Sequence, residues 1–200
     1  MKKLLALAII AALGVTSAAY AAPLRSYGAG KTAIDVGMNL PTNNDYDGYS
    51  AGSKETSPYA GITVGISEKA ALNYKWNQYK NDHDTQLDTQ QLNLMYKLLP
   101  GLDVYAGYLN TDTDLYGHGR NTNSAQFGLQ GSVKLPLDFT VWTRTAIGSK
   151  IKGYEIGLSR PLLSNVDLNL SYYDHKYDEA AIHDTDVRTK GVNVGVTLKF

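Results

Sequence analysis

The chain has no cysteine. A fold built from it has no disulfide staples, no thiol chemistry and no cysteine metal site, so its stability has to come from burial and backbone pairing. Excess charge of one sign is missing too, since Lys and Arg number 19 and Asp and Glu also number 19. That balance gives no electrostatic reason to bind nucleic acid. Beyond the N-terminal region no apolar run approaches the roughly 18 residues that a membrane helix needs. Phosphate-cradling glycine loops, zinc-ligand spacings and Ser/His/Asp arrangements in their usual context are absent. The run Gly28-Ala29-Gly30-Lys31 lacks the preceding strand of a phosphate loop and reads as a flexible lead-in.

What is present begins with Lys2 and Lys3, an apolar stretch from Leu4 to Val15, and the small-x-small run Ala19-Tyr20-Ala21. These three regions predict a secretory signal peptide over residues 1–21, followed by one domain over 22–200. Removing the first 21 residues takes Lys2 and Lys3 with it and leaves a slightly acidic chain. An overall mean hydropathy of −0.28 looks soluble. It is equally compatible with a membrane barrel, in which only alternate residues of each strand meet lipid.

The dominant pattern is a two-residue period. The last ten residues place Val192, Val194, Val196, Leu198 and Phe200 on one face and Gly191, Asn193, Gly195, Thr197 and Lys199 on the other. Such alternation predicts a strand with one apolar and one polar face. The same grammar recurs in nine earlier segments, near 31–40, 59–66, 72–79, 91–98, 102–108, 125–135, 139–148, 154–159 and 166–173. Connections mostly alternate short and long. Short ones fall at Ser67-Glu68-Lys69, Leu99-Pro100-Gly101, Pro136-Leu137-Asp138 and Leu163-Ser164-Asn165, and polar loops at 41–57, 80–88, 110–123 and 174–190. The link near Lys150 is unexpectedly brief. The prediction is an all-β, antiparallel up-and-down transmembrane β-barrel of ten strands, with eight as the other even count.

The terminal residues Asn193, Gly195, Leu198 and Phe200 resemble the C-terminal insertion signal of bacterial outer-membrane β-barrels. By strand pattern the chain resembles the small outer-membrane barrel families, porin-like and OmpA-like. That resemblance implies outer-membrane localisation, contact with outer-membrane lipid and recognition by the barrel assembly machinery. It implies no cofactor, and it leaves the oligomeric state open.

Alternation assigns each strand residue a side. Asp35, Tyr59, Lys75, Lys97, Asp103, Tyr105, Trp142, Arg144, Glu155, Asp167 and Tyr173 should line the lumen, with Lys134 as a further inward charge. Inward glycines, such as Gly37, Gly157 and Gly195, leave room for those rings and ease the curvature of a narrow barrel. Outward aromatics sort by height: Tyr74, Trp76, Tyr108, Phe127, Tyr154 and Tyr172 towards the long loops, and Tyr96, Phe139 and Phe200 towards the short turns. Two such girdles are expected at the lipid interfaces of a barrel. Ten strands enclose a lumen close to the size that side chains fill completely.

The expected function is a non-enzymatic outer-membrane barrel, either structural or a narrow passive pore. Two other readings stay open. The loops carry Asp82-His83-Asp84, His118, Asp174-His175 and His183-Asp184. Acidic and His-Asp pairs at the rim of a ten-stranded barrel are similar in outline to the omptin proteases, which would imply a rim-sited hydrolase. Omptin barrels are longer, however, and their motifs do not match here residue by residue. Asp112, Asp114, Asp184 and Asp186 offer oxygen ligands suited to Ca²⁺ but without a regular loop spacing. The third reading is a soluble periplasmic barrel with a ligand inside.

Overall fold

In the computed structural model, residues 27–50, 52–82 and 85–200 are described. Ten long antiparallel strands form one sheet: β1 (Thr32–Tyr46), β2 (Ser57–Gly65), β3 (Ala70–Asn81), β4 (Thr85–Leu99), β5 (Leu102–Leu115), β6 (His118–Lys134), β7 (Thr140–Gly148), β8 (Ile151–Leu163), β9 (Val166–Tyr177) and β10 (Val187–Lys199). Each pairs with its sequence neighbours, and β10 pairs back to β1 from Ala33↔Lys199 to Tyr46↔Val187. The sheet is therefore a closed barrel without a free edge among the long strands. Two two-residue strands, Tyr49–Ser50 and Lys54–Glu55, decorate the connection between β1 and β2. Among the described residues no helix is long and apolar enough to cross a membrane. The expected signal peptide lies outside the described residues.

Side chains obey the alternation. Along β4, Gln91, Asn93 and Met95 are buried while Leu92, Leu94, Tyr96 and Leu98 are exposed. Because the period is two, each strand has a single choice of face, and closure forces all the polar faces inside together.

One expectation fails at the loops. The segments read as loops at 110–123 and 174–190 are largely strand: β5 runs to Leu115, β6 starts at His118, β9 runs to Tyr177 and β10 starts at Val187. β1 likewise continues to Tyr46 and β3 to Asn81. The outward side chains there are polar, as at Asp88, Asn110, Asp112, Asn121 and Asn123, so the greasy–wet contrast that marked the lower strands vanishes although the ladder continues. The inward side still packs, through Thr85, Leu87, Thr111, Thr113, Tyr177 and Thr189. The barrel thus has a turn end, with four short connections, and a ribbon end where the strands rise beyond the apolar zone. In β1 a register shift between Pro41 and Asn43 reverses the parity, which turns Asn44 and Tyr46 inwards. Proline is tolerated at such an irregularity because no ladder N–H is needed there.

The seam is shaped by two glycines. Gly37 on β1 faces Gly195 on β10, and the Tyr59 ring lies against both. A Cβ on Gly195 would fall 2.2 Å from the Tyr59 hydroxyl and 2.4 Å from the Val36 carbonyl oxygen. Replacing Gly195 by Val should therefore cost about 3 kcal/mol through overpacking at the seam. Gly119→Ala, where a Cβ meets nothing within 4 Å, should be near neutral. The difference is measurable as a fall in the temperature at which the folded form converts to the unfolded form on SDS gels.

Candidate functional site in the barrel interior

The chemistry of the chain is concentrated inside the barrel. Near the turn end, Lys199 Nζ donates to Asp167 Oδ1 at 2.6 Å with both side chains almost fully buried. The Lys97 ammonium lies 4.8 Å from the centre of the Tyr27 ring, and Gln130 donates to Asp103 at 3.4 Å. In the middle, Asp35 accepts the Thr197 hydroxyl, whose oxygen in turn accepts Asn169 Nδ2 at 2.6 Å. Across the lumen the Arg144 guanidinium donates to Asn73 Oδ1 at 3.2 Å and stacks 4.5 Å from the Tyr105 ring centre. The Tyr105 hydroxyl donates to the Thr145 carbonyl, and the Trp142 indole donates to Ser159 Oγ at 3.0 Å. Higher up, Lys75 Nζ meets Glu155 Oε1 at 2.5 Å, and His175 Nε2 is 3.5 Å from the same oxygen. Oppositely charged neighbours are what makes burying so many ions tolerable.

Both ends of this polar interior are closed by apolar groups. Tyr27, which precedes β1, is 0% exposed and packs with Ala33, Ala71, Met95 and Tyr105 at the turn end. At the ribbon end Tyr79, Tyr173 and Tyr177 form a layer with Leu87, Leu109 and Ile151, over which Ala180 and Ala181 of the β9–β10 connection fold. His175 is embedded in that layer, 5.8 Å from the Tyr173 ring and 6.1 Å from the Tyr177 ring. Between the two seals lies a cavity of about 80 Å³, large enough for several waters.

The structure places Asp35, Tyr59, Lys75, Lys97, Asp103, Tyr105, Trp142, Arg144, Glu155, Asp167 and Tyr173 inside the barrel. Lys134 is different: it sits at the turn end, 56% exposed, and pairs with Asp138 at 2.9 Å. The inward alternation of β6 runs out where the chain bends into the Pro136–Asp138 turn, so solvent and a turn carboxylate take the lysine. Sequence reasoning missed His175 and Tyr27. His175 was grouped with Asp174 as a loop tip; the signal that could have found it is the spacing Tyr173, His175, Tyr177, which continues the inward face of β9. Tyr27 has no periodic neighbours to mark it.

Outside, Tyr96, Tyr108, Phe127 and Tyr154 are about half exposed, while Tyr74, Trp76, Tyr172, Phe139 and Phe200 are partly covered. Tyr154 and Tyr172 pack together, ring centres 6.2 Å apart, and Phe139 carries the Arg160 guanidinium 5.1 Å away. Towards the ribbon end the next outward residues are Gln78 after Trp76, Asn110 after Tyr108, Lys152 beside Tyr154 and Asp174 beyond Tyr172. Asn193, Gly195 and Leu198 lie in the seam strand, with Phe200 exchanging backbone hydrogen bonds with Thr32.

The rim candidates do not converge. Asp184 pairs with Arg120 at 2.7 Å and Asp186 with Lys176 at 2.5 Å, so two of the four proposed Ca²⁺ ligands serve basic partners. Among the described residues no three His, Asp or Glu side chains come together as a metal site. Asp174 is held by Arg188 through two contacts of 2.9 Å. His118 and His183 share a shallow cleft with Arg120, and His83 and Asp84 lie outside the described residues.

No known protein-family profile and no curated protein matches the chain. Solved structures similar in shape include the neisserial surface protein NspA, with 18% identity and a TM-score of 0.46 over 91% of this chain and 100% of that one. The N-terminal β-barrel domain of Pseudomonas aeruginosa OprF shares 12% identity with a TM-score of 0.42 over 88% and 99% of the two chains. The attachment invasion locus protein Ail of Yersinia pestis shares 13% identity with a TM-score of 0.40 over 87% and 99%. The barrel architecture itself stands on the strand pairing described above.

Two outcomes are expected from this geometry. Lys75→Met strands the Glu155 carboxylate inside and should cost about 3–5 kcal/mol, with Lys75→Met/Glu155→Gln recovering most of it, measured by denaturant unfolding in detergent. At the ribbon end, the Lys176 ammonium that donates to it holds the Asp186 carboxyl below the usual carboxylate range. A depressed folded-state value means that its stabilisation is complete above the unfolded value of about 4 and is lost as pH falls through the folded one. The Glu179 amide, which donates to Asp186 at 2.9 Å, should accordingly lose protection from hydrogen exchange in acid, and Asp186→Asn should abolish that pH dependence.

Proposed function

We propose that the chain is an integral barrel of a bacterial outer membrane, structural in role, with a lumen closed at rest, and that it is not an enzyme. The observation that carries the reading is the outer surface of a closed sheet. Val36, Met38, Leu92, Leu94, Leu129, Val133, Ile156, Leu158, Leu168 and Leu170 all lie exposed on it, in a belt bordered by polar residues towards the ribbon end. A water-soluble monomer rarely exposes a contiguous apolar surface beyond a few hundred square ångströms, whereas a lipid-facing barrel requires one. A closed sheet is also what hydrocarbon demands, because an unpaired backbone group there costs several kcal/mol.

In this reading the turn end faces the periplasm and the ribbon end projects outside. The outward aromatics at both borders of the belt act as girdles at the lipid interfaces. The closing strand, with Asn193, Gly195, Leu198 and Phe200, is the segment offered to the barrel assembly machinery. The closed-lumen part rests on the Tyr27 seal, the ion-paired middle and the tyrosine layer, stacked along the lumen among the described residues. The non-enzymatic part rests on the rim carboxylates Asp174, Asp184 and Asp186 being engaged by Arg and Lys rather than by a histidine.

Residues 22–200 should need detergent to stay monomeric and should migrate as a compact form on unheated SDS gels. In planar bilayers they should give no steady conductance. A monomer soluble without detergent would sink the membrane reading in favour of a periplasmic ligand-binding barrel, and a stable ohmic channel would sink the closed lumen.

A further inference from the structure

Within the apolar belt the ladder between β6 and β7 skips a rung. Phe127 pairs with Ile147 and Gln130 with Arg144, but Gly128 and Leu129 are not paired with the residues between, Thr145 and Ala146. The groups that such a rung would join are engaged elsewhere. The Leu129 N–H donates to the Thr145 hydroxyl oxygen at 3.1 Å, and the Thr145 carbonyl accepts the Tyr105 hydroxyl instead.

Tyr105 reaches that carbonyl from β5 by crossing β6 at Gly128, its partner in the β5–β6 ladder. A Cβ on Gly128 would fall 1.9 Å from the Thr145 carbonyl oxygen and 2.6 Å from the Tyr105 hydroxyl, so any larger residue closes the path. The Arg144 guanidinium, stacked 4.5 Å from the Tyr105 ring centre and donating to Asn73, holds the ring in place. On the outer face Thr145 is flanked by Leu129 and by Tyr154, its partner on β8. A threonine is out of character in such a belt. Its hydroxyl has a use here, as the substitute acceptor for Leu129, and it returns a long hydrogen bond of 3.5 Å to the Leu129 carbonyl. Without that acceptor the Leu129 N–H would be bare at a height where hydrocarbon makes a bare N–H costly.

We propose that Tyr105 is the latch of a two-state seam between β6 and β7. In the latched state, which the structure holds, the Thr145 carbonyl is drawn towards the lumen and the two strands are one backbone bond short. In the released state the carbonyl returns to the Leu129 N–H, the rung closes, and the Tyr105 hydroxyl passes to the polar interior. The states differ in which donor takes one carbonyl, so an event at Tyr105 inside the lumen is felt in the outer wall. The latched seam is a line along which that wall opens more readily than in the released state. The latch is read on the folded barrel in micelles and so does not depend on the membrane reading.

The test is ¹⁵N-detected amide hydrogen exchange in detergent, corrected for intrinsic rates, on wild type, Tyr105→Phe and Thr145→Val. Both variants are first checked for wild-type mobility on unheated SDS gels. In wild type the Leu129 amide should exchange faster than those of Phe127 and Gly131, its neighbours in the same ladder. Tyr105→Phe should slow Leu129 about fivefold or more, the weight of one net hydrogen bond. A merely structural hydroxyl predicts the reverse, because its loss would loosen β5 to β7 and speed exchange throughout. Thr145→Val removes the substitute acceptor and leaves only the carbonyl for Leu129, so it too should slow that amide. If Tyr105→Phe does not fold, Thr145→Val decides. Unchanged or faster Leu129 exchange in either folded variant overturns the latch, as does equal protection of the three amides in wild type.

Discussion

Everything in this barrel follows from the pairing of β1 with β10. Once the last strand bonds to the first, no long strand keeps an open row of N–H and C=O groups, and each residue has only two places to go, inside or outside. The chain meets that division with an apolar outer belt and an interior of Asn, Thr, Gln, Tyr and paired ions. The seam itself is narrow because Gly37 and Gly195 face each other beneath Tyr59. A ring fills the space that two side chains would otherwise have occupied, so closure and filling are one arrangement.

The interior then has to accommodate charge. Its acidic residues Asp35, Asp103, Glu155 and Asp167 share the lumen with Lys75, Lys97, Arg144 and Lys199. The lumen as a whole is neutral, but neutrality is achieved unevenly. Lys75 and Glu155 touch, as do Lys199 and Asp167, whereas Arg144 stands opposite Glu155 in the β7–β8 ladder and Asp35 is held by the Thr197 hydroxyl. Aromatic layers cover this polar interior at either end.

The strand count and the side of most strand residues were legible in the sequence because outward-facing and lumen-facing positions differ in character along β3 to β10. Where the outward side chains change from apolar to polar, that contrast disappears while the backbone ladder does not, and strands such as β5 and β6 looked like a loop from Asn110 to Asn123. His175 was lost for the same reason. Lys134 erred in the opposite direction: the alternation was extrapolated one residue too far, into a turn where no lumen exists. Tyr27 lies outside any repeat, and its burial depends on a contact with Met95, 68 positions away, that no local pattern encodes.

The Lys75–Glu155 pair joins β3 to β8, and the Arg144–Asn73 bond joins β7 to β3. Neither partner finds its mate until both halves of the chain have come together, so a fragment of five strands would carry bare ions on the face it most needs to bury. Half-barrels are for this reason poor resting places. The molecule is expected to mature as one cooperative unit, with its earliest-made strands waiting on its last.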